Sequence, residues 1–440
     1  MLLRKLKEYV KKFLWFYVPY DKEVKIKYCL SRKFRKHVQE IRSRFSNHES
    51  VPVPKKPGKR LCVVFMCQSA DVWNSVKSIY LAAKKDKDID TYILAIPEKI
   101  MHENYNVNHE EYDVNRAYAM CSKFDRDTIS AHDYDSKTWF DLKSLEPDYV
   151  FIPRPYDSHL PPCYRSDEVK KYAKVCLWMY ACSLTTWAFK LLGVNFMMNC
   201  SLIFAQSEYH EAMLNNILNF LHASDIKAKF LGFPRFDLFS NNTQLGGGKT
   251  TEFRKTVMWL PRWTTNGTVE TTTFFRYKDS IIKYFLEHKD LKLICRPHPL
   301  MIRNFLSTGE MTQADIDAFM KPFREEKNFM YDDNPDYIPA LMESDIFVSD
   351  WTSLLIEEFI TEKPIIYLGR HSTLSSEAKE IASMFYPAGN ETHLFRHLES
   401  LIENHDSMKQ KRHEYITQKM KHDGKAGERI MQFIKEDFSA

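Results

Sequence analysis

Three places in the sequence set basic, acidic and hydroxyl side chains directly behind short apolar runs. Val257-Met258-Trp259-Leu260 leads into Arg262 and Trp263, and Leu291 to Cys295 leads into Arg296 and His298. Ile346-Phe347-Val348 leads into Asp350, Thr352 and Ser353, and then into the helix-like Leu354-Leu355-Ile356-Glu357-Glu358. Guanidinium forks and imidazole N–H groups bind phosphate. A helix opening near Thr352 adds free backbone N–H groups and a positive dipole end. Each feature has a plainer reading by itself: Thr352 or Ser353 as a helix cap, Arg-Pro-His as a turn. If the three apolar runs are neighbouring parallel strands, however, all of these groups face one crevice, and the chemistry is that of a diphosphate site.

The elements that must position them follow from the apolar pattern. In the first half, LCVVFMC (61–67), TYILAI (91–96), DYVFIP (148–153), VCLWMY (175–180), LIFAQ (202–206) and AKFLGF (228–233) read as strands. TVMWLP (256–261), LKLICR (291–296), DIFVS (345–349) and PIIYL (364–368) repeat the style in the second half. Helical stretches lie between them. Strands alternating with helices imply α/β domains with parallel sheets covered on both faces. The expected architecture is two Rossmann-like domains facing a cleft, over 59–240 and 241–405, with a basic segment at 1–58 and C-terminal helices at 406–440. From about Glu391 the tail reads as a solvated, charge-rich helical face.

Two stretches invite other readings. NNTQLGGGKT (241–250) ends like a phosphate loop, but Thr243 stands where that motif needs its first glycine, so it is expected to be a loop at the domain join. Val175 to Ala205 carries one charge, Lys190, yet polar residues and Gly193 interrupt it, so core elements rather than a membrane span are expected.

The net charge of +5 is unevenly placed: residues 1–60 carry +13 and the remainder −8. Leu3, Leu6, Val10, Phe13 and Tyr17 recur at helical spacing among Arg4, Lys5, Lys7, Lys11 and Lys12. Such a helix lies in the plane of an anionic membrane surface, and no zinc-finger or RNA-binding pattern points to nucleic acid. Nine cysteines without a C-x-x-C pair suit a reduced, cytoplasmic setting.

GFPRFD (232–237), LPRWT (260–264), RPHP (296–299) and SDIFVSDWTSLLIEEF (344–359) resemble the signature blocks of the CDP-glycerol glycerophosphotransferase family, whose enzymes build teichoic acids and related surface polymers. The resemblance runs over roughly 60–405, with weaker likeness in Trp73 to Tyr80 and PDYVFIPRPYD (147–157). It implies a GT-B fold, a CDP-activated polyol as donor, a lipid-linked glycan as acceptor, and a peripheral place at the inner face of the membrane. By position it gives His298 a catalytic role at the donor phosphates and makes Arg235, Arg262, Trp263, Arg296, Asp350, Thr352, Ser353 and Glu357 donor-binding residues. Neither a cofactor nor a bound metal is expected, since no ligand cluster has metal spacing.

One departure matters. Family members carry a His-Gly-Thr-Pro-Leu-Lys segment whose His activates the acceptor, and the matching LWMYACSLTTW (177–187) has no His, Pro or Gly. Asp157 and His159, in PYDSH, are the nearest substitutes as general base. A nucleotide-sugar glycosyltransferase on the same scaffold, or an inert glycan-assembly subunit, are the competing readings.

Deleting residues 1–50 removes 14 Lys/Arg against 5 Asp/Glu together with the apolar stripe. At about 1 kcal/mol per basic residue near an anionic surface, sedimentation with anionic vesicles should be lost while CDP binding is retained. Parallel loss of nucleotide binding would make the segment part of the fold.

Overall fold

The computed structural model describes residues 58–100, 111–178, 194–220, 223, 225–242, 252–265, 271–334, 336–369, 374 and 376–440. The basic segment, the glycine-rich join and most of LWMYACSLTTW therefore lie outside the described residues. The chain divides into two compact units, one over Met1–Ala181, Thr186–Leu238 and Asp423–Ala440, the other over Cys182–Thr185 and Phe239–His422.

The first unit holds β1 (Leu61–Cys67), β2 (Ile89–Ala95), β3 (Ile129–Ser130), β6 (Tyr149–Ile152), β7 (Lys174–Trp178), β8 (Leu202–Phe204) and β9 (Lys227–Lys229). They form one parallel sheet in the order β3-β2-β1-β6-β7-β8-β9, beside a small antiparallel pair, β4 (His132–Asp133) and β5 (Thr138–Trp139). The second unit holds β10 (Lys255–Leu260), β11 (Leu291–Cys295), β12 (Phe329–Tyr331), β13 (Ile346–Ser349), β14 (Ile365–Tyr367) and β15 (Tyr386–Pro387), parallel in the order β12-β11-β10-β13-β14-β15. Every residue of β1, β6 and β13 is buried, as continuous apolar strands covered on both faces must be. The apolar runs place the central strands to within two residues or so. The strands of the two parallel sheets that went unread, β3, β12 and β15, are two- or three-residue pieces at sheet edges, and the two-residue strands of the β4–β5 pair went unread as well.

Helix α1 (Ala70–Lys85) follows β1 and buries Val72, Trp73, Val76, Ile79, Tyr80 and Ala83, the stripe of an amphipathic helix. The tail is not the solvated surface its charge suggests. Helix α2 (Glu391–Ile402) buries Leu394, Leu398, Leu401 and Ile402, while α3 (Ala426–Ser439) buries Ile430, Met431 and Ile434. Their apolar residues recur every three or four positions, so charges on the other face mask the pattern.

Helix α3 returns to the first unit, and the block GFPRFD receives it. The Asp237 carboxylate accepts the Ala426 and Gly427 N–H groups at 3.1 and 2.9 Å and the Ser78 hydroxyl. Gly427 packs so closely on α1 that a Cβ would lie 2.5 Å from Ser78 backbone atoms. Gly232 has φ +97°, and a Cβ there would meet Ala426 and Arg429. At the other end of the helix, Asp437 accepts from Tyr149 at 2.8 Å, Lys174 at 2.7 Å and Lys227, the first residues of β6, β7 and β9. One carboxylate thus ties the helix to the N-terminal edge of the sheet.

Burial alone would raise the Asp437 pKa; the Lys174, Lys227 and Tyr149 hydrogen bonds outweigh it and hold the pKa at about 2. A depressed carboxylate contributes stability that is present above its unfolded pKa and lost as pH falls through the folded value. Asp437→Asn should therefore cost about 2 kcal/mol at pH 7 and progressively less on acidification between pH 4 and about 2. A loss that does not change with pH, measured by urea unfolding, would contradict this.

Candidate active site

In the second sheet β10 pairs with β11 on one side and β13 on the other, with Trp259 opposite Cys295 and Leu260 opposite Ser349. The chain leaves β10 for β11 and β12 in one direction and later returns to β13 and β14 in the other. The three polar segments thus leave the C-terminal ends of adjacent strands at the sheet's switch point, where open α/β sheets place their ligands. This is the convergence that the sequence pattern predicted.

Asp350 differs from its expected role. It is 1% exposed and accepts the Arg262 N–H at 2.8 Å, the Thr272 hydroxyl at 3.1 Å, and both the N–H (3.1 Å) and hydroxyl of Thr273. Its own N–H donates to Leu260 at 3.2 Å. Burial pushes its pKa up, and these hydrogen bonds pull it back. With both oxygens engaged by the protein, Asp350 is a clamp joining the loop after β10, the start of the helix Phe274–Glu287 and the end of β13. It does not line a polyol pocket.

The clamp sets Arg262. Its Nε donates to Thr264 at 2.8 Å, its Nη1 to the Trp351 carbonyl at 3.2 Å, and the guanidinium lies 4.5 Å over the Trp351 ring. Arg296 is also held: Nη1 donates to Asp332 at 2.6 Å and Nη2 to the Asn334 carbonyl at 2.9 Å. Trp263 and His298 are stacked, with centroids 5.5 Å apart at 29°. The Leu300 N–H donates to His298 Nδ1 at 3.2 Å. Nδ1 is therefore an acceptor, and in the neutral ring the proton sits on Nε2. Although His298 is exposed, loss of hydrating water to neighbouring atoms, then the Arg262 charge, lowers its pKa to about 4. At neutral pH the imidazole is an uncharged N–H donor at the strand end.

Thr352 accepts the Leu354 N–H at 3.2 Å and Ser353 is exposed. The following helix is Leu355–Ile360, six residues and all buried, later and shorter than the sequence suggested. Glu357 is 1% exposed within it. Its neighbour Glu358, which sequence reasoning passed over, accepts from Ser349 at 3.1 Å; burial, together with the Glu357 charge, raises its pKa to about 8. Thr272, Thr273 and Asp332 were also missed. The threonines precede a helix, which is a capping signal, but nothing local assigns them to Asp350, 77 and 78 positions away.

The remaining expected residues lie in the first unit. Arg235 is 4% exposed in the turn Pro234–Phe236. Asp157 accepts the Ser166 N–H and hydroxyl, both at 2.7 Å, which fixes the turn Asp157–His159. His159 is half-buried against Tyr156, and burial, then Arg154, lowers its pKa. Gln68 donates to the His159 carbonyl at 3.1 Å, and Arg154 donates to Ser69 at 3.0 Å. Those contacts join the ends of β1 and β6, the switch point of the first sheet.

Comparison with known proteins gives a family and a fold. The family model for CDP-glycerol:poly(glycerophosphate) glycerophosphotransferase matches residues 197–436. No curated protein matches the chain. Among solved structures, the chain is similar to the wall teichoic acid polymerase TagF, at 12% identity and TM-score 0.53, covering 99% of this chain and 97% of that one. It is similar to the S. aureus MnaA–UDP co-structure at 12% identity and TM-score 0.56, covering 86% and 97%. A UDP-N-acetylglucosamine 2-epimerase from Listeria monocytogenes gives the same values. These likenesses show the GT-B fold.

Asp350→Ala should leave several buried donors without acceptors, at about 1–3 kcal/mol each, a total of about 3–5 kcal/mol. A melting temperature about 10 °C lower is expected. A shift of a degree or less would mean that the clamp is not structural.

Proposed function

The chain belongs to the CDP-glycerol:poly(glycerophosphate) glycerophosphotransferase family, and from that premise we propose that it moves glycerol phosphate, or a related polyol phosphate, from a CDP-activated donor to a lipid-linked glycan or teichoic-acid-like polymer. A TagF structure soaked with CDPG supports the donor class. An acceptor hydroxyl attacks the donor's distal phosphorus in line, the bond from that phosphorus to the bridging oxygen breaks, and CMP leaves.

The observation that carries the assignment is the fixed Nε2–H tautomer of His298 beside Arg262 at the switch point. As the P–O bond breaks, negative charge grows on the departing phosphate. A preorganised N–H donor and a nearby guanidinium stabilise that charge without a proton having to be gained first. Arg296 and Asp350 act as positioning residues, because protein partners hold them. Trp263 fixes the imidazole plane, and Thr352, Ser353 and Glu357 are the further candidates for donor contact.

The acceptor side belongs to His159 rather than Asp157. A histidine with lowered pKa is neutral at pH 7 and able to take the hydroxyl's proton. Asp157 holds the turn through Ser166. The basic segment 1–50 keeps the enzyme at an anionic membrane surface, at its inner face, where a lipid-linked acceptor resides. Among the described residues, no helix is long and apolar enough to cross a membrane.

His298→Ala should lower CMP release more than about tenfold, which is about 1.4 kcal/mol of barrier, whereas His298→Gln, which keeps an N–H donor, should recover part of it. The wild-type acid limb should fall below the ordinary imidazole value of 6.5, where His159 loses its proton-accepting form. Full activity of the alanine variant would remove His298 from the mechanism. His159→Ala should reduce turnover while leaving CDP affinity unchanged, and Asp157→Asn should chiefly lower stability. Unchanged turnover in His159→Ala would place the base elsewhere.

A further inference from the structure

Glu358 is fully buried in the helix Leu355–Ile360, and the proposed transfer gives it no part. Its Oε1 lies 3.1 Å from the Ser349 hydroxyl, which also lies 3.0 Å from the Asp350 carbonyl oxygen. Ser349 is the last residue of β13 and is itself wholly buried. A serine hydroxyl carries one proton, so it cannot serve two acceptors at full strength. The second Glu358 oxygen, Oε2, is buried and has no hydrogen-bond partner among the described residues. A carboxylate ion held there would leave most of its lone pairs unmet. Proteins avoid that desolvation cost by keeping such a group neutral.

We propose that Glu358 works as an un-ionised acid whose proton binds Ser349 Oγ, turning the Ser349 proton onto the Asp350 carbonyl and making Glu358 a positioning residue for the donor site. The chain from Glu358 through Ser349 then holds the peptide between Asp350 and Trp351. On one side of that peptide the Asp350 side chain takes the Arg262 N–H; on the other, the Trp351 carbonyl and ring hold the Arg262 guanidinium. Loss of the acid proton reverses the chain, because a carboxylate is the stronger acceptor and draws the Ser349 proton to itself. The Asp350 carbonyl then loses its Ser349 donor. Among the described residues, Glu357 of the same helix is the charged group acting on Glu358, and β13 offers only the Ser349 hydroxyl. Burial, opposed by that hydroxyl and aided by the Glu357 charge, pushes the Glu358 pKa up to about 8. The geometry and the titration thus agree on a neutral acid at pH 7.

Infrared difference spectra of the full chain, wild type minus Glu358→Gln and without substrate, read the acid directly. A carboxylic-acid C=O band should be present at pH 7 and fade as pH rises through about 8. A second readout rests on the proposed transfer: CMP release from CDP-glycerol with membrane extract, on variants whose melting curves show them folded. Wild type should slow about fivefold between pH 7 and 9, the effect of about one hydrogen bond. Glu358→Gln, which keeps an N–H donor and cannot ionise, should hold its own rate over that range. Glu358→Leu should be slower than Glu358→Gln at pH 7 and equally insensitive to pH. Absence of the acid band at pH 7, or an alkaline loss shared by Glu358→Gln, would overturn the inference. If wild type releases no CMP at any pH, the transfer reading fails and the infrared band alone decides this one.

Discussion

The buried Asp350 carboxylate is the constraint from which the donor side of the molecule follows. A carboxylate removed from water is costly unless donors surround it, and here Arg262, Thr272 and Thr273 converge on its two oxygens. Because those donors come from the two ends of the connection after β10, satisfying one charge brings the end of β10, the start of the next helix and the end of β13 to fixed positions. Arg262 is then braced against Trp351, and Trp263 turns its ring onto His298. The most ligand-like residue of the signature is therefore the one that a ligand has least access to, and the groups it places are the ones proposed to act on the donor.

The first unit uses carboxylates in the same way. Asp157 fixes the turn that carries His159 through Ser166, Asp237 caps the returning helix α3, and Asp437 closes the N-terminal edge of the sheet. At each position an acid that looks catalytic or solvated in the sequence satisfies backbone and side-chain donors instead. The two histidines stand out by contrast. Each lies beyond a strand C-terminus at a switch point with a lowered pKa, and each is a neutral imidazole at physiological pH. That state suits a proton acceptor in one unit and an uncharged hydrogen-bond donor in the other.

Much of this was legible because burial leaves a plain mark. A central parallel strand such as β1 has no polar face, so LCVVFMC reads directly as a strand, and so do β10, β11 and β13. The gathering of Arg262, His298 and Asp350 followed once those strands were taken as parallel neighbours. Edge pieces such as β3 and β15 leave too few residues for a pattern. The roles of Asp350 and Asp157 were illegible for another reason. An aspartate at a strand end looks alike whether it faces a substrate or a threonine, and its partner was 77 positions away in one case. The GFPRFD block shows the same limit. Its glycine and aspartate serve a helix nearly two hundred residues later in the chain.

The central claim is that the crevice beyond β10, β11 and β13 delivers a phosphopolyol from a cytidine-activated donor. The most direct test is to incubate the full chain with CDP-glycerol or with UDP-activated sugars, plus membrane extract, and to weigh the acceptor by mass spectrometry. The account predicts a gain of one or more glycerol phosphate units with release of CMP, from CDP-glycerol alone. A gain of hexose from a UDP-sugar, with none from CDP-glycerol, would contradict it.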